Sequence, residues 1–271
     1  MLIDSHIHIF DEKYDAKVAE KAIQNLKKDG VNGCGLISIP EHSKMNYKDR
    51  IANVLEWCEP EKEFYPIFWI NPIADDAIAQ VDYAIEAGIT GFKIICSDHY
   101  PGDPRAMNTY EKIAKEGKSI LFHTGILWDG KISSKYNKPI EYEELLFVAG
   151  LKFAIAHISW PWIDECIALF GKFQNTRERF GEEGADLYID TTPGTPRVQR
   201  EEALNRLFTV GYNLSDRVLF GTDRALGGID LYDASWAIKD DRIIYKQLGA
   251  SDEDIDRYFG KNFYEFWRIK K

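Results

Sequence analysis

Basic residues are in deficit in this 271-residue chain: 34 lysines and arginines stand against 44 aspartates and glutamates, for a formal net charge of -10. Nucleic-acid surfaces need the opposite balance, so no such partner is expected. Long apolar runs are missing as well. Nothing approaches the roughly 18 apolar residues of a membrane span, and no basic segment precedes an apolar one at the start. The expectation is therefore a cytoplasmic protein without a membrane partner. Cysteine is sparse: Cys34, Cys58, Cys96 and Cys166 lie far apart and form no CxxC pair, which fits buried free thiols in a reducing compartment. There is no GxGxxG after the first strand, and the glycine pair of "GGID" (227–230) is a weak phosphate signal. No linker, low-complexity tract or composition shift divides the chain, so residues 1–271 read as one domain, large enough to bury a core unaided.

What the chain does have is a steady alternation. Eight short apolar runs read as strands: "LIDSHIHIF", "VNGCGLISI", "FYPIFWI", "GFKIIC", "SILFHTG", "LKFAIAHIS", "ADLYIDTT" and "RVLFGTD". Segments of helical periodicity stand between them, several ending on glycine, such as "AEKAIQNLKKDG" and "DDAIAQVDYAIEAG". Repeated βα units build a parallel sheet, and this number favours an α/β fold of the closed (β/α)8 TIM-barrel type. A doubly wound open sheet is the rival.

Histidine is scarce, only 6 in all, yet four fall near strand ends: His6 and His8 on strand one, His123 on strand five, His157 on strand six. Asp223 ends strand eight. In a barrel these positions share the C-terminal mouth, where active sites lie. Strand alternation turns His6 and His8 to one face, with Leu2 and Asp4, and sends Ile3, Ile7 and Ile9 to the other. Asp4, one layer below, could then accept the free N–H of a metal-bound imidazole. Two imidazoles facing one interior need separate partners or one shared cation. With His123 and Asp223 they form a three-nitrogen, one-oxygen set suited to zinc and other divalent transition metals.

The ordered set of "DSHIH", a histidine closing strands five and six, and "GTD" closing strand eight resembles the amidohydrolase superfamily. The compact layout is most similar to its amidohydrolase-related branch, which holds hydrolases and aminocarboxymuconate-semialdehyde-type decarboxylases. The resemblance implies that His6, His8, His123 and Asp223 hold one divalent metal, zinc or manganese. It also implies His157 as an acid, base or polarising group, and Asp223 as the carrier of a water proton. Lys93, in "GFK", lies several residues before the expected end of its strand at "IICSD"; the resemblance raises a carbamylated lysine between two metals, but the reading favoured is an unmodified amine paired with a buried carboxylate or a substrate anion.

Loops at the mouth supply further candidates for substrate contact: Trp128 and Trp160, with Arg224 and His99 as polar ones. Trp69, Trp162, His42, Arg105 and Arg197 are lesser candidates. Apolar walls with one or two cations suit a small carboxylated or ring-containing substrate. The function expected is a metal-dependent hydrolase of an amide, ester or lactone. The alternative is a nonoxidative decarboxylase of the same branch. A non-catalytic metal- or ligand-binding barrel is disfavoured, since binding alone has no use for His157. A homo-oligomer is compatible with the aromatic terminal stretch "FYEFWRIKK".

Overall fold

The computed structural model describes residues 1–227 and 234–270; most of "GGID" lies outside them. Its strands are β1 (Ile3–His8), β2 (Gly33–Ile37), β3 (Phe64–Trp69), β4 (Gly91–Ile94), β5 (Ser119–Phe122), β6 (Lys152–Ile155), β7 (Asp186–Asp190), β8 (Val218–Leu219) and β9 (Arg224–Ala225). They pair in parallel in the order β8-β7-β6-β5-β4-β3-β2-β1-β9. The last two are pieces of one interrupted strand. Ser5 N–H donates to Phe220 O at 2.8 Å and Asp223 N–H to His6 O at 2.9 Å, which closes the ring on β1. The result is the (β/α)8 barrel.

Helices α1 (Ala16–Lys28), α2 (Tyr47–Cys58), α3 (Ala77–Glu86), α4 (Pro104–Lys115), α5 (Ile163–Phe180), α6 (Arg200–Thr209) and α7 (Trp236–Gln247) form the outer layer. Local chemistry sets their ends. The Asp15 side chain accepts from Lys17 N and Val18 N to start α1, whose last turn carries Lys27 and Lys28. Between β5 and β6 the outer layer is built from the tighter turns Ser134–Asn137 and Pro139–Leu145. Among the described residues no helix is long and apolar enough to cross a membrane.

The strands separate two apolar layers. Outward-facing Leu36, Phe68, Phe92, Phe122 and Phe153 meet the helices. Inward-facing Ile37, Ile67, Leu121 and Ala154 fill the barrel together with Phe263, Phe266 and Trp267. Those aromatics come from the terminal helical segment, which stoppers the end of the barrel away from the mouth. Ser119 Oγ, at the start of β5, donates to Phe266 O at 2.5 Å.

Strand β1 departs from simple alternation. Its register against β2 shifts between Asp4 and Ile7. An extra residue in a strand flips every side chain beyond it. Ile3 therefore joins the inner cluster and Leu2 the outer one, the reverse of the faces expected from sequence, while Ile7 still packs outward.

Trp267 lies against Gly91, where an added Cβ would stand 2.1 Å from the ring. Gly91→Ala should therefore cost about 1–3 kcal/mol of overpacking, read as a lower midpoint in urea denaturation with an unchanged slope.

Candidate active site

The mouth is built at strand ends. His6 and His8 close β1, and His123 follows β5 directly, so its ring continues the inward face of Leu121. His157 would point outward if β6 ran on. Instead His157, Ile158 and Ser159 take φ of 65°, 47° and 53°, and this left-handed turn carries the ring back to the mouth. Such backbone is costly for non-glycine residues, most of all for β-branched Ile158. Thr124 holds the turn, its Oγ1 donating to Ala156 O at 2.7 Å and lying 2.8 Å from Ser159 Oγ. Asp223 is likewise left-handed, at φ 60°, which a short polar side chain tolerates. Gly221 before it admits no Cβ, since one would lie 2.6 Å from Thr192 Oγ1 and 2.9 Å from His6 Cβ.

His6 is the best determined of these groups. Its Nδ1 donates to Asp190 Oδ2 at 3.2 Å. Asp190 is fully buried and also accepts from Thr192 N, Thr192 Oγ1 and Ser5 Oγ. Burial alone would raise this carboxyl, but the hydrogen bonds it accepts from His6 and Thr192 help to outweigh it, so it lies below its usual value and stays an acceptor. His6 therefore presents a bare Nε2. Around that lone pair stand His8 Nε2 at 3.1 Å and Asp223 Oδ1 at 3.4 Å, the last two 3.2 Å apart. Three electron-pair donors lie within 4.8 Å of one another. One proton can bridge only two of them, whereas a divalent cation satisfies all three, so this donor set fits a metal. Burial lowers the pKa of both rings, which keeps the imidazoles neutral as ligation requires. Burial would raise Asp223, yet His6, His8 and His157 hold it well below the carboxylate range.

His123 stands outside this trio. Its Nδ1 faces His157 Nε2 at 3.2 Å, and each ring has a carbonyl behind it: Ile126 O at 3.3 Å from His123 Nε2, Thr192 O at 3.3 Å from His157 Nδ1. With both outer nitrogens donating, two bare nitrogens meet, a pair suited to sharing a proton or a cation. Burial keeps His157 near pKa 4 and His123 well below 6.5.

Lys93 is the second-last residue of β4, not several residues short of the strand end, because the strand stops at Ile94. Its buried Nζ donates to His6 Nε2 at 3.3 Å and not to a carboxylate, one of the two partners expected from sequence, and burial lowers it to about 8.

Three other expectations are corrected. Arg224 turns away from the mouth: its guanidinium pairs with Asp29 at the end of α1 at 2.6 Å. It sits on β9 beside outward-facing Ile7, and so points behind the sheet. His99 is buried, with Nδ1 3.0 Å from Asp98 Oδ1, and lines a separate recess with Tyr100, Tyr136 and Glu144. The loop after β4 folds it away from the trio. Asp4 does not reach an imidazole either. It accepts from His6 N, Thr222 N and Thr222 Oγ1, pinning the "GTD" loop to β1.

A cavity of about 690 Å³ covers the trio, walled by Phe10, His42, Trp69, Lys93 and Trp128. A second of about 470 Å³ adjoins it, with Trp160, Ile126 and Pro196 in its wall. Asp190 went unnoticed in the sequence, although "DTT" closes β7 much as "GTD" closes strand eight. Glu41 and Phe10 carried no signal.

The family model described as Amidohydrolase matches residues 3–269. No curated protein matches the sequence. Among solved structures, a zinc-bound amidohydrolase from Burkholderia multivorans is similar at TM-score 0.65 and 10% identity, with both chains covered in full. Dihydroorotase from Saccharomyces cerevisiae, in complex with 5-fluoroorotic acid, gives 0.69 and 13%, covering 100% of this chain and 85% of its own. The 2,6-dihydroxybenzoate decarboxylase from Rhizobium gives 0.63 and 12%, covering 99% and 98%.

Asp4 offers a pH test. Burial raises its carboxyl to about 6 despite the hydrogen bonds from Thr222 and His6. The folded state thus holds a proton that the unfolded chain releases near 4, so this group's contribution to stability falls as pH rises from about 4 to 6. Asp4→Asn cannot ionise. Relative to wild type its unfolding free energy should gain on the order of 2–3 kcal/mol between pH 4 and 7, measured by denaturant titration.

Proposed function

From the premise that this chain belongs to the amidohydrolase family, we propose that it is an enzyme: a metal-dependent hydrolase that cleaves an amide, ester or lactone bond of a small substrate. The carrying observation is the convergence of His6 Nε2, His8 Nε2 and Asp223 Oδ1 under one cavity. These residues would hold one divalent ion, zinc or manganese, with His123, whose Nδ1 now faces His157, as the further nitrogen of the set. When bound, the ion contributes Lewis acidity, lowering the pKa of a coordinated water and polarising a substrate oxygen.

The chain's own residues do the rest. Asp223, ionised at neutral pH, takes a proton from the attacking water and returns it to the leaving nitrogen or oxygen as the carbon–heteroatom bond breaks. His157, neutral and anchored through Nδ1 on Thr192 O, keeps a bare Nε2 beside His123 Nδ1 at the cavity wall, where it serves as the group that accepts a proton or hydrogen bond from the reacting molecule. Asp190 keeps His6 in the tautomer that ligates, a positioning role. Trp128 and Trp160 wall the substrate, and neither Arg224 nor His99 takes part. Lys93 supports a second reading, nonoxidative decarboxylation: a buried ammonium in the larger cavity could hold a carboxylate.

Elemental mass spectrometry of the purified protein should find about one equivalent of zinc or manganese, lost in His6→Ala/His8→Ala. No metal in protein never exposed to chelator would overturn the mechanism. Release of carbon dioxide from carboxylated aromatics, with no hydrolysis across an amide, ester and lactone panel, would select the second reading. Asp190→Asn should weaken zinc binding about 10–100-fold in chelator competition while leaving the fold intact. His157→Gln should lower kcat by about 10²–10⁴ with the metal retained.

A further inference from the structure

The two cavities at the mouth share four wall residues, His123, Trp128, His157 and Asp223. Three of these are polar groups of the site, so part of its chemistry lies at a junction with space on both sides, while His6, His8 and Lys93 line the larger cavity alone. The fourth, Trp128, is 81% exposed although it borders both cavities. A large aromatic surface left in water at the junction is one that a molecule reaching into both cavities would cover.

The two sides differ in chemistry. The larger cavity is aromatic, with Phe10, His42 and Trp69 in its wall, and apart from the Asp223 it shares with the smaller cavity its charges balance: Glu41 and Asp129 against Lys93 and Lys131. The smaller one is compact and apolar, walled by Ile126, Trp160, Pro193 and Pro196, and among the described residues its only formal charge at neutral pH is the shared Asp223. Volumes of about 690 and 470 Å³ each suffice for a ring-sized group. We infer that the site takes an uncharged two-armed substrate, an ester or amide with an aromatic group in the larger cavity, a compact apolar group in the smaller, and the reacting carbonyl between them at His157 and Asp223. The placement of the carbonyl rests on the hydrolase reading; the two-armed shape rests on the cavities alone.

A binding test separates the two. The halves are 2-naphthol and cyclohexanecarboxamide, and 2-naphthylmethyl cyclohexyl ketone joins them in a form that hydrolysis cannot cleave. Calorimetry on the zinc-supplemented protein should show both halves bound together, each Kd unchanged within about twofold by the other, and the ketone about 100-fold tighter than the better half. Trp128→Ala should weaken both halves. Ser97→Trp, in the larger cavity, should abolish only 2-naphthol binding, and Pro196→Trp, in the smaller, only that of the carboxamide. Competition between the halves, failure of either to bind, or a ketone no tighter than 2-naphthol overturns the inference; the wild-type titrations decide it even if a variant fails to fold. Tight ketone binding without turnover of 2-naphthyl cyclohexanecarboxylate, of its N-(2-naphthyl) amide or of the lactone panel would instead refute the hydrolase reading and leave the two-armed site standing.

Discussion

The hydrogen bond from His6 Nδ1 to Asp190 decides which nitrogen of His6 faces the cavity, and the site is arranged around that choice. Without the carboxylate the ring could carry its proton on either side, and Nε2 would be a donor part of the time. With it, a lone pair is fixed beside two more donors and a buried ammonium. Concentrated electron pairs of this kind are unfavourable on their own, and the surrounding fold holds them in place. Asp190 is itself immobilised by Ser5 and Thr192, so the order passes from a buried strand end to the groups at the mouth.

Irregular backbone at the mouth contrasts with regular backbone beneath it. The lower barrel is filled by aliphatic layers and a stopper of aromatics, whereas the mouth carries four non-glycine residues with left-handed φ. Conformations of this kind persist only where the environment fixes them. Thr124 and Asp4 do so here, each bonding to backbone of a different mouth segment. Stability is concentrated in one half of the molecule and spent on aim in the other.

The barrel was legible because its signal is repeated: each apolar run reports one strand, and errors of a residue or two at their ends do not alter the count. The site was legible where a polar residue ended such a run. It was lost where the backbone left the strand period. The shift in β1 put Ile3 and Leu2 on unexpected faces, and no alternation rule shows an inserted residue. Arg224 follows Asp223 and looks like a mouth residue until β9 is seen to restart the strand, which sends its side chain toward Asp29. His99 depended on a loop path that composition does not encode. Asp190 was readable in principle, since a carboxylate closing a buried strand needs a partner.

The interrupted last strand has a consequence for how the molecule assembles. His6 and His8 come from the first strand, and Asp223 from the break between β8 and β9, whose hydrogen bonds to β1 join the two ends of the chain. Contacts of such sequence separation carry the largest loop-closure entropy and tend to form late. The donor trio therefore spans the seam that closes the barrel and is complete only when β1 meets the break between β8 and β9. Occupancy of the site would serve as a signature of completed folding.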